Sequence, residues 1–311
     1  MMTRKKSHPY EVTIILPVFN EAGMIGPVVL ALRQKFPDYE ILVVDDGSTD
    51  GSAKEAAQAG ARVISHVYNR GNGAAVKTGI RRARGRLLVL MDGDGQHDPD
   101  EIPKLLAPLD TFDMVVGARD FKRHGARHRS WANRIYSSLA TYLADHKVED
   151  LTSGFRAIHR DLAVRFAYLL PNTFSYPSTI TLALFKAGYG VKYVPINVHP
   201  RHGASKIKII RDGFRFFSIM IKIIGLFNPM KIFFPLGMAL FAPGVTYTIY
   251  RLATGNRLSN PMVLSISVAA LIFALGLISE QIALLRLERI DERMQEESAP
   301  ESEEGPEEDQ A

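Results

Sequence analysis

Cysteine is absent from all 311 residues. That excludes disulfide frameworks, thiolate metal sites and cysteine nucleophiles, and it says little about redox compartment. An apolar leader is missing too: Met1 to Tyr10 is polar and basic and no h-region follows, so no signal peptide is expected. Charge is missing from two long stretches, the 19 residues Ile232 to Tyr250 and the 18 residues Met262 to Ser279. Both are candidate membrane spans, and the short polar loop between them makes an expected helical hairpin. Pro235, Gly237 and Pro243 weaken the first as a soluble helix but are tolerated in membranes. Bases are nearly missing from the end. From Asp291 onward ten acids accompany one base, Arg293, and residues 289–311 are expected to form an acidic disordered tail. That end carries −9, which leaves +14 on the rest of a chain whose net charge is +5.

A basic body implies anionic partners, either nucleic acid or lipid and phosphate groups. Lys206 to Phe227 decides between them. Lys208, Arg211, Arg215 and Lys222 recur at helical spacing on one face, with Phe214, Phe217, Ile221 and Ile224 left for the other, the pattern of a helix lying in a membrane interface. Bases accumulate on both outer flanks of the hairpin, from Arg201 to Lys231 and at Arg286 and Arg289, so both flanks are expected to be cytosolic, although Arg251 and Arg257 in the loop blur the asymmetry. No nucleic-acid partner is expected.

What is present is a set of acids at the ends of apolar runs. Leu87-Leu88-Val89-Leu90 leads into Met91-Asp92-Gly93-Asp94-Gly95-Gln96-His97-Asp98. An apolar run ending in carboxylates reads as a buried strand emerging at the sheet edge where open α/β folds hold ligands. On a regular strand Asp92, Asp94 and Gln96 would share a face, and their oxygens suit Mg2+ or Mn2+ shared with a substrate phosphate. The plain alternative is a polar turn of solvated aspartates. Two further runs repeat the pattern: Thr13-Ile14-Ile15-Leu16 before Pro17-Val18-Phe19-Asn20-Glu21, and Ile41-Leu42-Val43-Val44 before Asp45-Asp46-Gly47-Ser48-Thr49-Asp50-Gly51. In a parallel sheet Glu21, Asp46, Asp92 and Asp94 could line one crevice. A dinucleotide fingerprint is the rival reading of Gly71-Asn72-Gly73-Ala74-Ala75-Val76. It is disfavoured because that fingerprint follows the first strand of its domain and explains neither Asp94 nor Gln96.

Taken in order, P-V-F-N-E, V-V-D-D-G-S-T-D-G, N-R-G-N-G-A-A-V-K-T-G and M-D-G-D-G-Q-H-D resemble the motifs of a family 2 inverting glycosyltransferase with the GT-A fold. The resemblance is to its polyprenyl-phosphate branch, typified by dolichol-phosphate mannose synthases and bacterial polyprenyl-phosphate glucosyltransferases, and it covers roughly residues 10 to 225. It implies an α/β domain with a Rossmann-like, mixed but mostly parallel sheet flanked by helices. It further implies a donor site at Pro17, Phe19, Glu21, Val44, Asp46, Gly73, Asp92, Gly93 and Asp94, with Phe19 where Tyr is frequent. Asp92, Asp94 and Gln96 are the implied metal ligands and, with Arg119, the implied catalytic set. Arg119, Arg134, Ser153, Arg201 and Lys206 are the implied acceptor and phosphate contacts; the spacing from Arg201 to Gly203 is one residue shorter than in the family element it resembles. Asp150-Leu151-Thr152-Ser153-Gly154-Phe155-Arg156 resembles the acceptor-side loop preceding a helix. A lipid phosphate, with a second pKa near 6, is already largely deprotonated and needs no general base, so Asp150 is expected to be structural or phosphate-orienting.

The expected organisation is a basic segment (1–9), a cytosolic catalytic domain (10–203), an interfacial helix region (204–229), two transmembrane helices within 230–288 (about 232–250 and 262–285) and the tail. The expected reaction moves mannose or glucose from GDP-mannose or UDP-glucose to dolichyl or undecaprenyl phosphate in an integral membrane protein. Gly and Ser in the spans would permit a homo-oligomer. A polysaccharide or lipid-linked sugar acceptor, or a non-catalytic membrane scaffold, are the alternatives.

Overall fold

The computed structural model describes residues 8–119, 138, 141–142, 146–172, 176–198, 229–255, 257 and 260–298. The basic segment up to residue 7, Arg134, Arg201, Lys206, the expected interfacial helix and the tail from residue 299 lie outside the described residues. Two compact units make up the chain, Met1–Ile232 and Phe233–Ala311.

In the first unit the apolar runs become strands: β1 (Tyr10–Val18), β2 (Glu40–Asp45), β3 (Arg62–Ser65), β4 (Gly85–Leu90) and β5 (Met114–Arg119), followed by β6 (Arg156–His159) and β7 (Val191–Ile196). They form one sheet in the order β3-β2-β1-β4-β6-β5-β7, parallel except for β6, which runs antiparallel to both neighbours. The chain winds outward from β1 to β3, then returns to place β4 on the other side of β1. That reversal opens a crevice at the carboxyl ends of β1 and β4.

β1 is buried on both faces, which is why it reads as a continuous apolar run and not an alternating one. Val12, Ile14, Leu16 and Val18 pack with Ile25, Val29 and Leu32 of α1 (Ile25–Lys35). On the opposite face Ile15 meets α3 (Asn72–Arg82) so closely that Gly79 has no room for a side chain. Each such fully buried aliphatic side chain contributes about 1.5–3 kcal/mol. Between these helices α2 (Ser52–Gln58) returns the chain to β3. At the far, amino-terminal edge of the sheet, buried Glu40 accepts hydrogen bonds from Thr13 Oγ1 (2.6 Å), the Arg84 N–H (2.7 Å) and Arg62 Nη1 (2.8 Å), stitching β1 to β3 away from the crevice.

Two expectations need correction. β4 ends at Leu90 and the chain turns at residues 93–95, with Gly95 at φ +74°, so strand alternation does not set the directions of Asp92, Asp94 and Gln96. The loop from Asp150 does not lead straight into a helix: β6 intervenes before α5 (Arg160–Phe166), its short four-residue run holding an arginine and giving no alternating signal. The remaining helices of this unit are α4 (Ile102–Leu106) and α6 (Tyr176–Lys186).

The second unit is a helical pair, α7 (Met230–Ala253) and α8 (Asn260–Ser298). Both are long and apolar enough to cross a membrane, and large side chains such as Leu264, Leu271, Leu275, Leu277 and Ile278 are exposed, as they would be toward lipid. The helices interlock through small residues. A Cβ on Gly237 would lie 2.9 Å from the Phe273 ring and one on Gly244 3.1 Å from Ile266, while Ser265 Oγ donates to the Leu240 carbonyl at 2.9 Å. α8 continues ten residues past the expected boundary of 288, through Ser298. The Glu, Arg, Met and Gln of that stretch favour helix despite their acidity, so residues 289–298 are helical and not disordered.

Candidate functional site

Three strand ends converge on the crevice. Pro17 of β1 and Val44 of β2 are register partners, as are Val18 and Asp45, and β4 reaches Ile15 through Leu90. After β1 the chain turns through Phe19, which is 45 % exposed, and Asn20 at φ +56°. This loop is held by the segment after β2. Ser48 Oγ accepts from the Asn20 N–H (2.9 Å), Ser52 Oγ from Glu21 (2.9 Å) and Asp50 Oδ2 from Ala22 (2.9 Å), and in return Asn20 Oδ1 accepts from the Thr49 N–H (3.0 Å). Ser48, Asp50 and Ser52 therefore shape the loop that presents Phe19 and half-buried Glu21.

Asp46 is 2 % exposed. Its Oδ1 accepts the Arg70 N–H (2.9 Å) and lies 2.7 Å from His66 Nδ1, while Oδ2 accepts the Gly71 N–H at 2.7 Å. Three of the roughly four acceptor positions of a carboxylate are thus occupied by its own chain. The carboxylate at Nδ1 favours a proton on that nitrogen, and Nε2 lies 2.9 Å from Thr78 Oγ1. Asp46 thus holds the 66–71 loop in shape. Gly71, at φ +100°, leads into α3, and Gly73 is buried in that helix's first turn.

Beyond β4, Asp92 keeps 39 % of its side chain exposed. Gly93 is required by close packing, since a Cβ there would lie 2.8 Å from Val18 Cγ2 and 3.4 Å from the Pro17 carbonyl. Asp94 Oδ1 accepts the Gln96 N–H at 3.2 Å, which closes the turn. His97 is buried with its ring stacked on Phe155 at 4.7 Å, and its Nε2 lies 3.8 Å from Asp92 Oδ2. Among the described residues no three His, Cys, Asp or Glu side chains form a ready-made metal cage. Two carboxylates and an amide in one half-buried turn fit instead an ion that shares its coordination with a substrate diphosphate, the usual mode for Mg2+.

The region expected to meet the acceptor is built on an ion pair. Arg119, at the end of β5, donates through Nε to Asp150 Oδ2 (2.7 Å) and through Nη2 to Asp150 Oδ1 (3.0 Å) and Thr152 Oγ1 (2.6 Å). Asp150 Oδ1 also accepts the N–H groups of Thr152 and Ser153 at 3.1 Å. Burial alone would push the Asp150 carboxyl up, but hydrogen bonding and attraction to Arg119, with the backbone N–H groups of Arg119 and Thr152, outweigh it and hold the carboxyl below its ordinary range. Burial likewise pulls Arg119 down and Asp150 more than restores it. Ser153, expected to contact phosphate, is 1 % exposed, with its N–H committed to Asp150 and its hydroxyl 3.5 Å from the Phe155 carbonyl. It shapes the loop and presents no hydroxyl to the crevice. Gly154 follows, so close to Asp92 that a Cβ would lie 2.9 Å from Oδ2 and 3.2 Å from both Oδ1 and the Tyr176 hydroxyl. The 150–156 loop and the Asp92 turn thus touch.

Sequence reasoning missed His66, Thr152 and the wedging role of Gly154. Each works through a partner distant in the chain, and no local pattern marks it.

Comparison with known proteins agrees with this geometry. Residues 13–166 match the model of glycosyl transferase family 2, and residues 228–285 match the GtrB C-terminal hairpin. The polyprenol monophosphomannose synthase of Mycolicibacterium smegmatis is 32 % identical, over 62 % of this chain and 80 % of its own length. A dodecaprenyl-phosphate galacturonate synthase of Rhizobium johnstonii is 28 % identical, over 88 % of each chain. Among solved structures, glucosyl-3-phosphoglycerate synthase from Mycobacterium tuberculosis in complex with Mn2+ and UDP-glucose shares the fold, with a TM-score of 0.56 and 21 % identity over 70 % of this chain and 79 % of that one. The ordered strand-end motifs and the GT-A sheet agree with these matches: the chain belongs to glycosyl transferase family 2 and is a glycosyltransferase with a C-terminal apolar helical hairpin.

Proposed function

We propose that the protein transfers a hexose, mannose or glucose, from GDP-mannose or UDP-glucose to dolichyl or undecaprenyl phosphate, with inversion at the anomeric carbon. The observation that carries this reading is the engagement of Asp150. The one acid on the acceptor loop is buried, held ionised and bound to Arg119 through both oxygens, a poor arrangement for taking a proton from a sugar hydroxyl. A phosphate acceptor needs no such base. Relatives named for polyprenyl-phosphate acceptors support the same class.

In this reading an oxygen of the lipid phosphate forms a bond to the anomeric carbon as the bond to the nucleoside diphosphate breaks, and the leaving diphosphate takes the electron pair. Arg119, pre-oriented by Asp150 and Thr152, positions the acceptor phosphate. Phe19, Glu21 and the loop held by Asp46 receive the nucleoside. Asp92, Asp94 and Gln96 would hold Mg2+ or Mn2+, which when bound neutralises charge on the diphosphate. A solved neighbour's Mn2+ and UDP-glucose complex supports a divalent ion and a nucleotide-sugar. The hairpin anchors the domain on the cytosolic face, consistent with the basic residues at both of its outer flanks.

The test is transfer of radiolabel into organic-extractable lipid by the purified full chain with polyprenyl phosphate, Mn2+ or Mg2+, and each donor separately. Label from one donor establishes reaction and sugar together. Donor hydrolysis without lipid label would refute the acceptor assignment.

A further inference from the structure

Arg156 is the bulkiest side chain with no exposed surface among the described residues. It sits in β6 opposite Leu90 of β4 and Val116 of β5, under the crevice. Its Nη1 donates to the Pro177 carbonyl (3.0 Å) and Thr181 Oγ1 (3.1 Å), both in α6, and Nη2 donates to the Ser153 carbonyl. Nε has no hydrogen-bond partner and, among the described residues, no carboxylate lies within ion-pair distance. Burial draws its pKa down, with partial relief from Tyr176, Tyr193, Asp150 and Asp92. An unpaired buried guanidinium is an expensive choice for a position that packing alone could fill with an apolar residue.

The geometry points to Arg156 as a positioning residue for the transfer step, one that ties the acceptor loop to α6 so that Arg119 and Asp92 are held in register. Ser153, whose carbonyl it grips, is flanked by the two contacts that matter: Asp150 clamps Arg119 on one side and Gly154 abuts the Asp92 carboxylate on the other. Releasing that carbonyl displaces both at once. A misplacement of about 1 Å is enough to cost on the order of 100-fold in rate. Only the planar fork reaches all three acceptors, since lysine brings a point charge.

The inference rests on the lipid-phosphate reading for its kinetic assay, and a second measurement separates the two: Mn2+ binding to the full-length protein without substrates, by electron paramagnetic resonance. Arg156→Lys, at unchanged circular dichroism, is expected to lower kcat about 10- to 100-fold. It should also weaken Mn2+ binding several-fold, with donor KM nearly unchanged. Thr181→Val, which removes one clamp bond, should shift both in the same direction by less. A folded Arg156→Lys variant with wild-type kcat and Mn2+ affinity overturns the inference. Where Arg156→Lys fails to fold, Thr181→Val decides: reduced kcat sustains the role and wild-type kcat overturns it. Should the wild type transfer no sugar to lipid phosphate, the acceptor reading fails, and the positioning role stands or falls on Mn2+ affinity alone.

Discussion

Asp150→Asn is the most informative single substitution, because two incompatible roles for the residue predict different energetics. The carboxylate accepts from Arg119 Nε and N–H on Oδ2, and from Arg119 Nη2 and the Thr152 and Ser153 N–H groups on Oδ1. An amide turns one of those oxygens into a donor. Its less damaging orientation places the NH2 at Oδ2, against Arg119, so at least one charge-assisted bond of about 1.5–3 kcal/mol is lost. Removing one partner of a fully buried pair costs about 3–5 kcal/mol, but a third of the Arg119 side chain meets solvent, so a total near 2–4 kcal/mol is expected. The pH dependence carries a sign. The folded pKa of Asp150 is depressed, so its stabilisation is present above the unfolded value of about 3.9 and is lost as pH falls through the lower folded value. Thermal melts should therefore show a constant wild-type advantage from pH 5 to 8 that shrinks below about pH 4. In transfer assays Asp150→Asn, Arg119→Ala and the double variant should fall by similar factors, since the pair acts as one unit. Losses that multiply, or a melting temperature unchanged at neutral pH, would refute the clamp and restore Asp150 as an independent base.

Gly154→Ala should place a methyl against Asp92 and the Tyr176 hydroxyl, weakening Mn2+ binding and lowering transfer more than about 10-fold; isothermal titration and initial rates check it. Asp94→Asn should abolish transfer while the unfolding free energy stays within about 0.5 kcal/mol of wild type, and retained activity would sink the metal assignment. His66→Ala removes the ring between Asp46 and Thr78, so a loss of about 1.5–3 kcal/mol in denaturant unfolding is expected with a raised donor KM and little change in kcat.

How much of this was legible in the sequence follows from what each strand buries. β1, β2 and β4 are covered on both faces, so each is an apolar run long enough to read without a period, and the acids that end those runs mark the crevice. The hairpin was legible for a related reason: each helix carries an uncharged run long enough to cross a membrane, and few of its side chains are buried. β6 was not legible, because four residues with an arginine at the start carry no alternating signal, and its burial depends on β4 and β5 closing over it. The same limit applies inside the site. Asp46 and His66 are 20 residues apart, and Arg119 and Asp150 are 31 apart. A motif announces that a carboxylate stands at a strand end, but only the fold decides whether it faces a ligand, as the partly exposed Asp92 can, or is consumed by its own chain, as Asp46 and Asp150 are. Of the acids the sequence singled out, those two hold loops, and in the proposed reading the charge offered to substrates falls to Asp92, Asp94 and the arginine that Asp150 keeps in place.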